Sequence, residues 1–214
     1  MKKEPDQLTK HEAILEAIMQ ALMQNGLKGT TMDSISGLLQ MSKRTLYEIF
    51  GSKEEMFREA HIYFHKKFSE RIVKIFEEAS NVMEGIINCF LFNRDVMSNV
   101  SAEFIRDLEK FASSDHLISE SQRQHHNQHF YDVLQKGAQQ GYFREDVNLY
   151  VQCRMLTIQM EALKRTQELF SEEISLLEVY DSIIIGFLRG ISSEKGLKEI
   201  EQYMPRLTSN STEK

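Results

Sequence analysis

An all-α fold is what this chain predicts, on three observations. Its two prolines, Pro5 and Pro205, stand near the ends, so nothing between them forbids a helix. Leu, Glu, Met, Gln, Lys, Ala and Ile, good or fair helix formers, recur throughout. Apolar residues return at spacings of three and four, the period of one helical face. At 214 residues, 41% hydrophobic and 27% charged, the chain can bury a real core and has an ordinary globular composition.

Residues 1–9 are polar and read as a flexible arm, a solvated tail in which Lys2 and Lys3, with Lys10 beside them, are available to phosphates. Thr9 with Glu12 three residues on has capping-box spacing, and a first helix follows to about Gln24. Its stripe is Ile14, Ala17, Ile18, Ala21 and Leu22, and Asn25-Gly26 is its stop. Thr30 or Thr31 can cap a second helix, about 32–39, with Ile35, Leu38 and Leu39 on its buried side. Gln40-Met41-Ser42 makes a three-residue turn, Met41 inward, and Ser42 caps a third helix over 43–50. At about 100° per residue Leu46, Ile49 and Phe50 share one face of it. Arg44 and Glu48 then lie opposite, flanked by Thr45 and Tyr47. Two short helices at an angle, the second offering polar residues in its first turns, are how a recognition helix enters a major groove. Gly51 ends that helix, Ser52 caps a fourth, and Lys53 stands in the fourth's first turn, where the helix dipole favours an anion.

The fourth helix runs past Phe57, Phe64, Phe68, Ile72, Ile75 and Phe76 to about Ser80, too long for a three-helix module. It reads as a strut into a larger domain. A central fifth helix follows at about 81–99 with Ile86, Ile87, Phe90, Leu91 and Phe92, then a sixth near 101–111. A seventh runs from about 116 or 119 to Gln140, stopped by Gly141. Asp146 can cap an eighth reaching about Leu169, a ninth spans about 171–190, and a short tenth 194–204. The organisation expected is an arm at 1–9, a helix-turn-helix domain at 10–56, a helical ligand-binding and dimerisation domain at 57–204, and a disordered tail at 205–214.

The net charge of -6 sits entirely beyond residue 70, because residues 1–70 carry ten Lys/Arg and ten Asp/Glu. The N-terminal segment is neutral and has no broad basic footprint, so placement must supply what bulk attraction does not. Cys89 and Cys153 are far apart in unrelated apolar contexts and read as reduced core thiols. No leading apolar run suggests a signal peptide, and the longest apolar run, 183–188, is too short to span a bilayer. A cytoplasmic protein with no membrane partner is expected.

The segment 10–58 resembles the tetracycline-repressor (TetR/AcrR) family of bacterial transcriptional regulators. The resemblance rests on Gly26, Thr30-Thr31, Ile35-Ser36, Leu39-Gln40-Met41-Ser42, Thr45-Leu46-Tyr47, Phe50 and Ser52-Lys53-Glu54. Beyond residue 80 the likeness is one of architecture, including a Gly-aromatic-Phe-Arg-x-Asp loop at 141–146. It departs from the family at Gln40, where a turn glycine is usual, and at Lys43-Arg44, which implies a different base sequence. The resemblance implies phosphate contacts from Thr31, Tyr47 and Lys53, and base or mixed contacts from Lys43, Arg44 and Thr45, with the capping Ser42 counted among the DNA-binding residues. Glu48 would face the groove, where a carboxylate accepts from a cytosine amino group or excludes wrong sites.

It also implies a homodimer on a palindromic operator in double-stranded DNA, joined through the eighth and ninth helices, with Ile183, Gly186, Phe187 and Gly190 as candidate interface residues. A small apolar or aromatic effector is implied within the helical domain, with Phe68, Phe90, Phe104, Phe130, Leu134, Met155 and Gln159 as candidate lining. No cofactor is expected.

His125 and His129, and His61 and His65, have the one-turn spacing of a shared metal, but no nearby Asp, Glu or Cys completes either set. Both pairs read as solvated polar faces. A di-metal helical enzyme would need Glu-x-x-His on two helices, and none of the seven histidines has a Glu three residues before it. Glycine-rich phosphate loops and nucleophile elbows are absent too. The expectation is a DNA-binding regulator and not an enzyme, a repressor answering to a ligand; an activator, or a regulator with a protein effector, would use the same DNA-binding face.

Overall fold

The computed structural model describes residues 9–101, 103–105, 107, 120–165 and 174–208. Nine helices are defined within them: α1 (Lys10–Gly29), α2 (Met32–Leu38), α3 (Lys43–Phe50), α4 (Lys53–Glu78), α5 (Val82–Ser98), α6 (Glu120–Gln139), α7 (Leu149–Arg165), α8 (Leu176–Ile191) and α9 (Glu194–Thr208). The fold is all-α; among the described residues the single β feature is an isolated antiparallel bridge between Phe143 and Ser192. The chain divides into two compact units, Met1–Arg71 with Asn99–Phe111, and Ile72–Ser98 with Ala112–Lys214. The continuous helix α4 passes from the first into the second between Arg71 and Ile72.

In the N-terminal unit, local capping sets the helix starts. Thr9 Oγ1 accepts from the Glu12 amide and the Glu12 carboxylate accepts from the Thr9 amide, the reciprocal box read from the sequence. The first helix does break at Gly26, whose φ of 70° and ψ of 172° are non-helical, although helical geometry resumes to Gly29. A side chain there would be strained by its backbone and would also lie 3.1 Å from Glu103 Cβ. Ile14, Ile18 and Leu22 are buried as expected, together with Leu15 and Met19. They share a core with Met32, Ile35, Leu46, Phe50, Met56, Phe57, Ala60 and Phe104.

Two expectations in this unit are corrected. Leu38 and Ile49, assigned to buried faces, are 56% and 38% exposed. The reason is the same in both helices. Ile35 in α2 and Leu39 at its C-cap, like Leu46 and Phe50 in α3, are four apart and centre the buried arc between them. The residue three after the first anchor then falls roughly 80° off that centre. Of the sixth helix, 101–111, most lies outside the described residues; 103–105 are helical, and Ser101 Oγ accepts from the Phe104 amide at 3.1 Å.

The C-terminal unit is built on α5, α7 and α8, with α6 and α9 against them. Its core contains Met83, Ile86, Ile87, Phe90, Leu134, Cys153, Leu156, Leu163, Tyr180, Ile184, Leu188, Ile191 and Ile200. Gly85 permits close approach of α4, since a Cβ there would stand 2.5 Å from Phe76 Cδ1. The loop after α6 is tied to the α8–α9 junction by several hydrogen bonds. The Tyr142 carbonyl accepts from the Ser193 amide at 2.9 Å, the Arg144 amide donates to the Ile191 carbonyl at 2.9 Å, and Ser193 Oγ donates to the Gly141 carbonyl at 2.7 Å.

Boundaries in this unit also differ from expectation. The helix read as starting at a cap on Asp146 starts at Leu149, because Asn148 Oδ1 accepts from the Val151 amide at 3.1 Å. Asp146 is taken instead by Arg144, whose Nε donates to Oδ1 at 2.9 Å. The next helix starts at Leu176 with Ser175 and Glu178 as its capping box; the start expected at 171–173 lies outside the described residues. The last helix continues through Pro205 to Thr208, past the end expected at Met204.

Candidate nucleic-acid interface

The turn between α2 and α3 is closed by its own backbone. The Leu39 amide donates to the Ile35 carbonyl at 2.9 Å, and the Met41 amide to the Ser36 carbonyl at 2.9 Å. Gln40 reverses the chain at φ 53°, the left-handed conformation in which its family resemblance placed a glycine. Met41 is half-buried against the core below. Ser42 then starts α3, its Oγ accepting from the Thr45 amide at 3.0 Å and lying 2.8 Å from Thr45 Oγ1. Gly51, at φ 75°, ends α3 with its amide bonded to the Tyr47 carbonyl. Leu46 and Phe50, 0% and 4% exposed, seat α3 on the core. Eight residues, about 12 Å, are thereby held with one face outward.

That outward face carries Lys43, Arg44, Tyr47 and Glu48, all exposed, with Thr45 half-buried. Arg44 Nε donates to Glu48 Oε1 at 2.8 Å, and Lys43 Nζ pairs with Asp33 on α2. Both are surface pairs, worth little and open to exchange for a phosphate or base. Thr45 differs, since its hydroxyl is already engaged by Ser42. Thr31 is exposed at the start of α2, where its Oγ1 accepts from the Ser34 amide at 3.1 Å. Lys53, half-buried, opens α4 with its ammonium 5.1 Å from the centre of the Phe57 ring. The arrangement presents hydrogen-bond donors from three consecutive helix starts. The chemistry is binding, with geometry suited to a polyanion bearing groove edges.

The other residues singled out from sequence fall into separate places. Phe90, Phe130 and Leu134 come together in the C-terminal core, where Phe130 contacts Phe90 edge to face at 6.3 Å and Phe187 at 6.2 Å. Phe104 belongs to the N-terminal unit's core, and Phe68, in the same unit, stacks at a tilt on Phe64. Met155 and Gln159 stand exposed on α7. On α8, Gly186 and Gly190 are exposed, with open space where a Cβ would be, Ile183 is half-buried, and Phe187 points into its own core. The His61 and His65 reading is corrected. His61 is 7% exposed, not solvated, and its Nε2 lies 3.2 Å from that of His65. The side chain of His125 lies outside the described residues; His129 is exposed.

Sequence reading missed the ion pair of Arg94 and Asp181. Arg94 is buried and Asp181 half-buried in the C-terminal unit, with Arg94 Nε 2.9 and 3.0 Å from the two carboxylate oxygens. The signal available was an arginine in the core spacing Met83, Ile87, Phe90, Arg94.

Comparison with known proteins agrees with this geometry. Residues 14–60 match the model described as bacterial regulatory proteins, tetR family. The HTH-type transcriptional repressor KstR2 of Mycobacterium tuberculosis is 25% identical over 140 residues, 64% of this chain and 70% of that protein. YhgD of Bacillus subtilis, an HTH-type transcriptional regulator, is 30% identical over 79 residues, 37% of this chain and 41% of YhgD. Among solved structures, the ketosteroid transcriptional regulator KstR2 of M. tuberculosis superposes with a TM-score of 0.59 at 21% identity, covering 88% of this chain and 98% of that one. A TetR-family regulator from Agrobacterium tumefaciens gives 0.66 at 12% identity, covering 86% and 99%. These likenesses show the fold. No helix among the described residues is long and apolar enough to cross a membrane. Taken with the capped, outward-facing α3, the match identifies residues 14–60 as a DNA-binding segment of the kind found in the tetR family of bacterial regulatory proteins.

Proposed function

We propose that the chain is a ligand-responsive repressor that binds a palindromic operator as a homodimer. Residues 10–56 serve as the reading head and 57–204 as the effector-binding and dimerising part. Lys43, Arg44 and Thr45 contact bases or mixed sites, Thr31, Tyr47 and Lys53 hold phosphates, and Glu48 restricts the bases accepted. The observation that carries this reading is α3 itself. It is capped at Ser42, anchored by Leu46 and Phe50, and leaves Lys43, Arg44 and Tyr47 outward.

One short recognition helix reads few bases, so a two-fold copy on a palindrome supplies the rest. Support for self-association comes from α7, which is apolar on two opposite faces. Cys153, Leu156 and Leu163 face its own core, while Tyr150, Val151, Met155 and Ile158 are 46–60% exposed and fall within roughly 140° of arc. Gly186 and Gly190 on α8, which packs on α7, are exposed with open space where a Cβ would be, which would let a second helix approach closely.

The aromatic group Phe90, Phe130 and Phe187 favours a small apolar or aromatic effector. One relative's name, a ketosteroid regulator, is in keeping with that class. Effector bound better by the DNA-free state lowers operator affinity by that difference. The test is selection of genomic fragments by the purified protein, followed by footprinting. An inverted repeat protected by two protomers per site is expected, and protection of a single half-site by one protomer would overturn the reading.

A further inference from the structure

Arg94 occupies a position that apolar residues own. It continues the buried face of α5 through Met83, Ile87 and Phe90, at spacings of four, three and four, and is 4% exposed. One turn before it, Phe90 meets the ring of Phe130, which in turn meets Phe187. A guanidinium often meets a carboxylate fork to fork, with two parallel N–H groups facing the two oxygens. Asp181 instead places both oxygens on Nε, at 2.9 and 3.0 Å. Nη2 is thereby left buried with no acceptor among the described residues. Such an atom is costly unless something accepts from it.

We infer that Arg94 is the polar anchor of the effector, donating from Nη2 to a neutral oxygen on an otherwise apolar molecule: the carbonyl of a ketone, ester or lactone. This rests on the effector-pocket reading above and adds the ligand's chemical class to it. The acceptor is neutral because Arg94 and Asp181 already cancel one another. A ligand carboxylate would bring a second buried anion with no partner, which the low-dielectric core penalises. The neighbouring aromatic rings suit an apolar skeleton, and one directed hydrogen bond fixes its orientation.

Three probes of matched shape test this on the full chain by calorimetric titration: 2-acetylnaphthalene, 2-ethylnaphthalene and 2-naphthoate. The wild type is expected to bind the ketone at least tenfold more tightly than either of the others, with a shift of the Arg94 side-chain ¹⁵N resonance. In the double variant Arg94→Met/Asp181→Leu, which removes the pair without stranding a carboxylate, ketone and ethyl compound should bind within twofold of one another. Arg94→Lys, which keeps the charge and loses the planar fork, should also lose the preference, and decides the matter should the double variant fail to fold. Equal binding of ketone and ethyl compound to the wild type, or a preference that survives in the variants, overturns the Arg94 anchor while leaving the pocket standing. Tightest binding of 2-naphthoate overturns the neutral-acceptor assignment. Binding of none of the three overturns the anchor and the effector pocket together.

Discussion

Arg44 and Glu48 hold one another on the outer face of α3, Nε to Oε1 at 2.8 Å, one helical turn apart. The pair is exposed and contributes about 0.5 kcal/mol or less, so DNA can take Arg44 from it at small cost. Glu48→Ala frees the arginine and removes a negative charge from the groove-facing surface. Affinity for DNA of any sequence should rise, and the ratio between operator and random duplex should fall, by fluorescence anisotropy. An unchanged ratio would show that Glu48 takes no part in discrimination.

Arg44 and Lys53 should separate reading from gripping. Arg44→Ala is expected to relax specificity at one base pair per half-site by about 1 to 3 kcal/mol. Lys53→Ala should weaken all sites alike and reduce the salt dependence by about one phosphate contact. A uniform loss for Arg44→Ala across single-base operator variants would sink the base-reading assignment.

Gln40 carries a left-handed backbone without being glycine, at φ 53°. Gln40→Gly removes a steric cost of roughly 1 to 2 kcal/mol and adds back some unfolded-state entropy, roughly 0.5 to 1 kcal/mol. A net gain of about 0.5 to 1 kcal/mol is expected in urea unfolding. A loss would mean that the Gln40 side chain supplies something glycine cannot.

His61 gives the protein an acid-sensitive point. Burial first, and the neighbouring His65 second, lower its pKa from 6.5 to about 4. The unfolded chain therefore binds more protons at this position than the folded one between those values. Its contribution is complete above about pH 6.5 and is lost as pH falls toward 4. The thermal midpoint of wild type relative to His61→Gln should decline across that window. Parallel profiles for the two proteins would contradict it.

The exposed arc on α7 should be where two protomers meet. Ile158, 60% exposed, touches little of its own chain, so Ile158→Glu ought to leave the fold intact and produce monomers by sedimentation. Operator binding should then weaken more than tenfold, since each half-site is engaged alone. A dimer that persists places the interface elsewhere.

What the sequence made legible is what neighbours in the chain decide. The Thr9–Glu12 box, the Ser42 cap and the Gly51 stop all act within four residues and were readable before any fold was known, whereas the left-handed backbone at Gln40 was signalled only by the glycine usual there in the family it resembles. Leu38 and Ile49 were misplaced because a helical wheel gives an arc without saying where the partner helix is centred. Arg94 and Asp181 were missed for a different reason. They are 87 residues apart, and no local pattern joins a charge on α5 to one on α8. His61 was misjudged because its spacing from His65 reports a shared face but not whether that face is wet.

The ties between the loop after α6 and the α8–α9 junction set a condition on how the molecule is made. Gly141 and Ser193 are 52 positions apart, and the carbonyls of Gly141 and Tyr142 wait for partners at residue 193. On a ribosome these groups stay open to water until residues 191–195 have emerged. A chain interrupted before that point keeps an unlatched C-terminal unit and an accessible backbone, the form that cellular proteases remove.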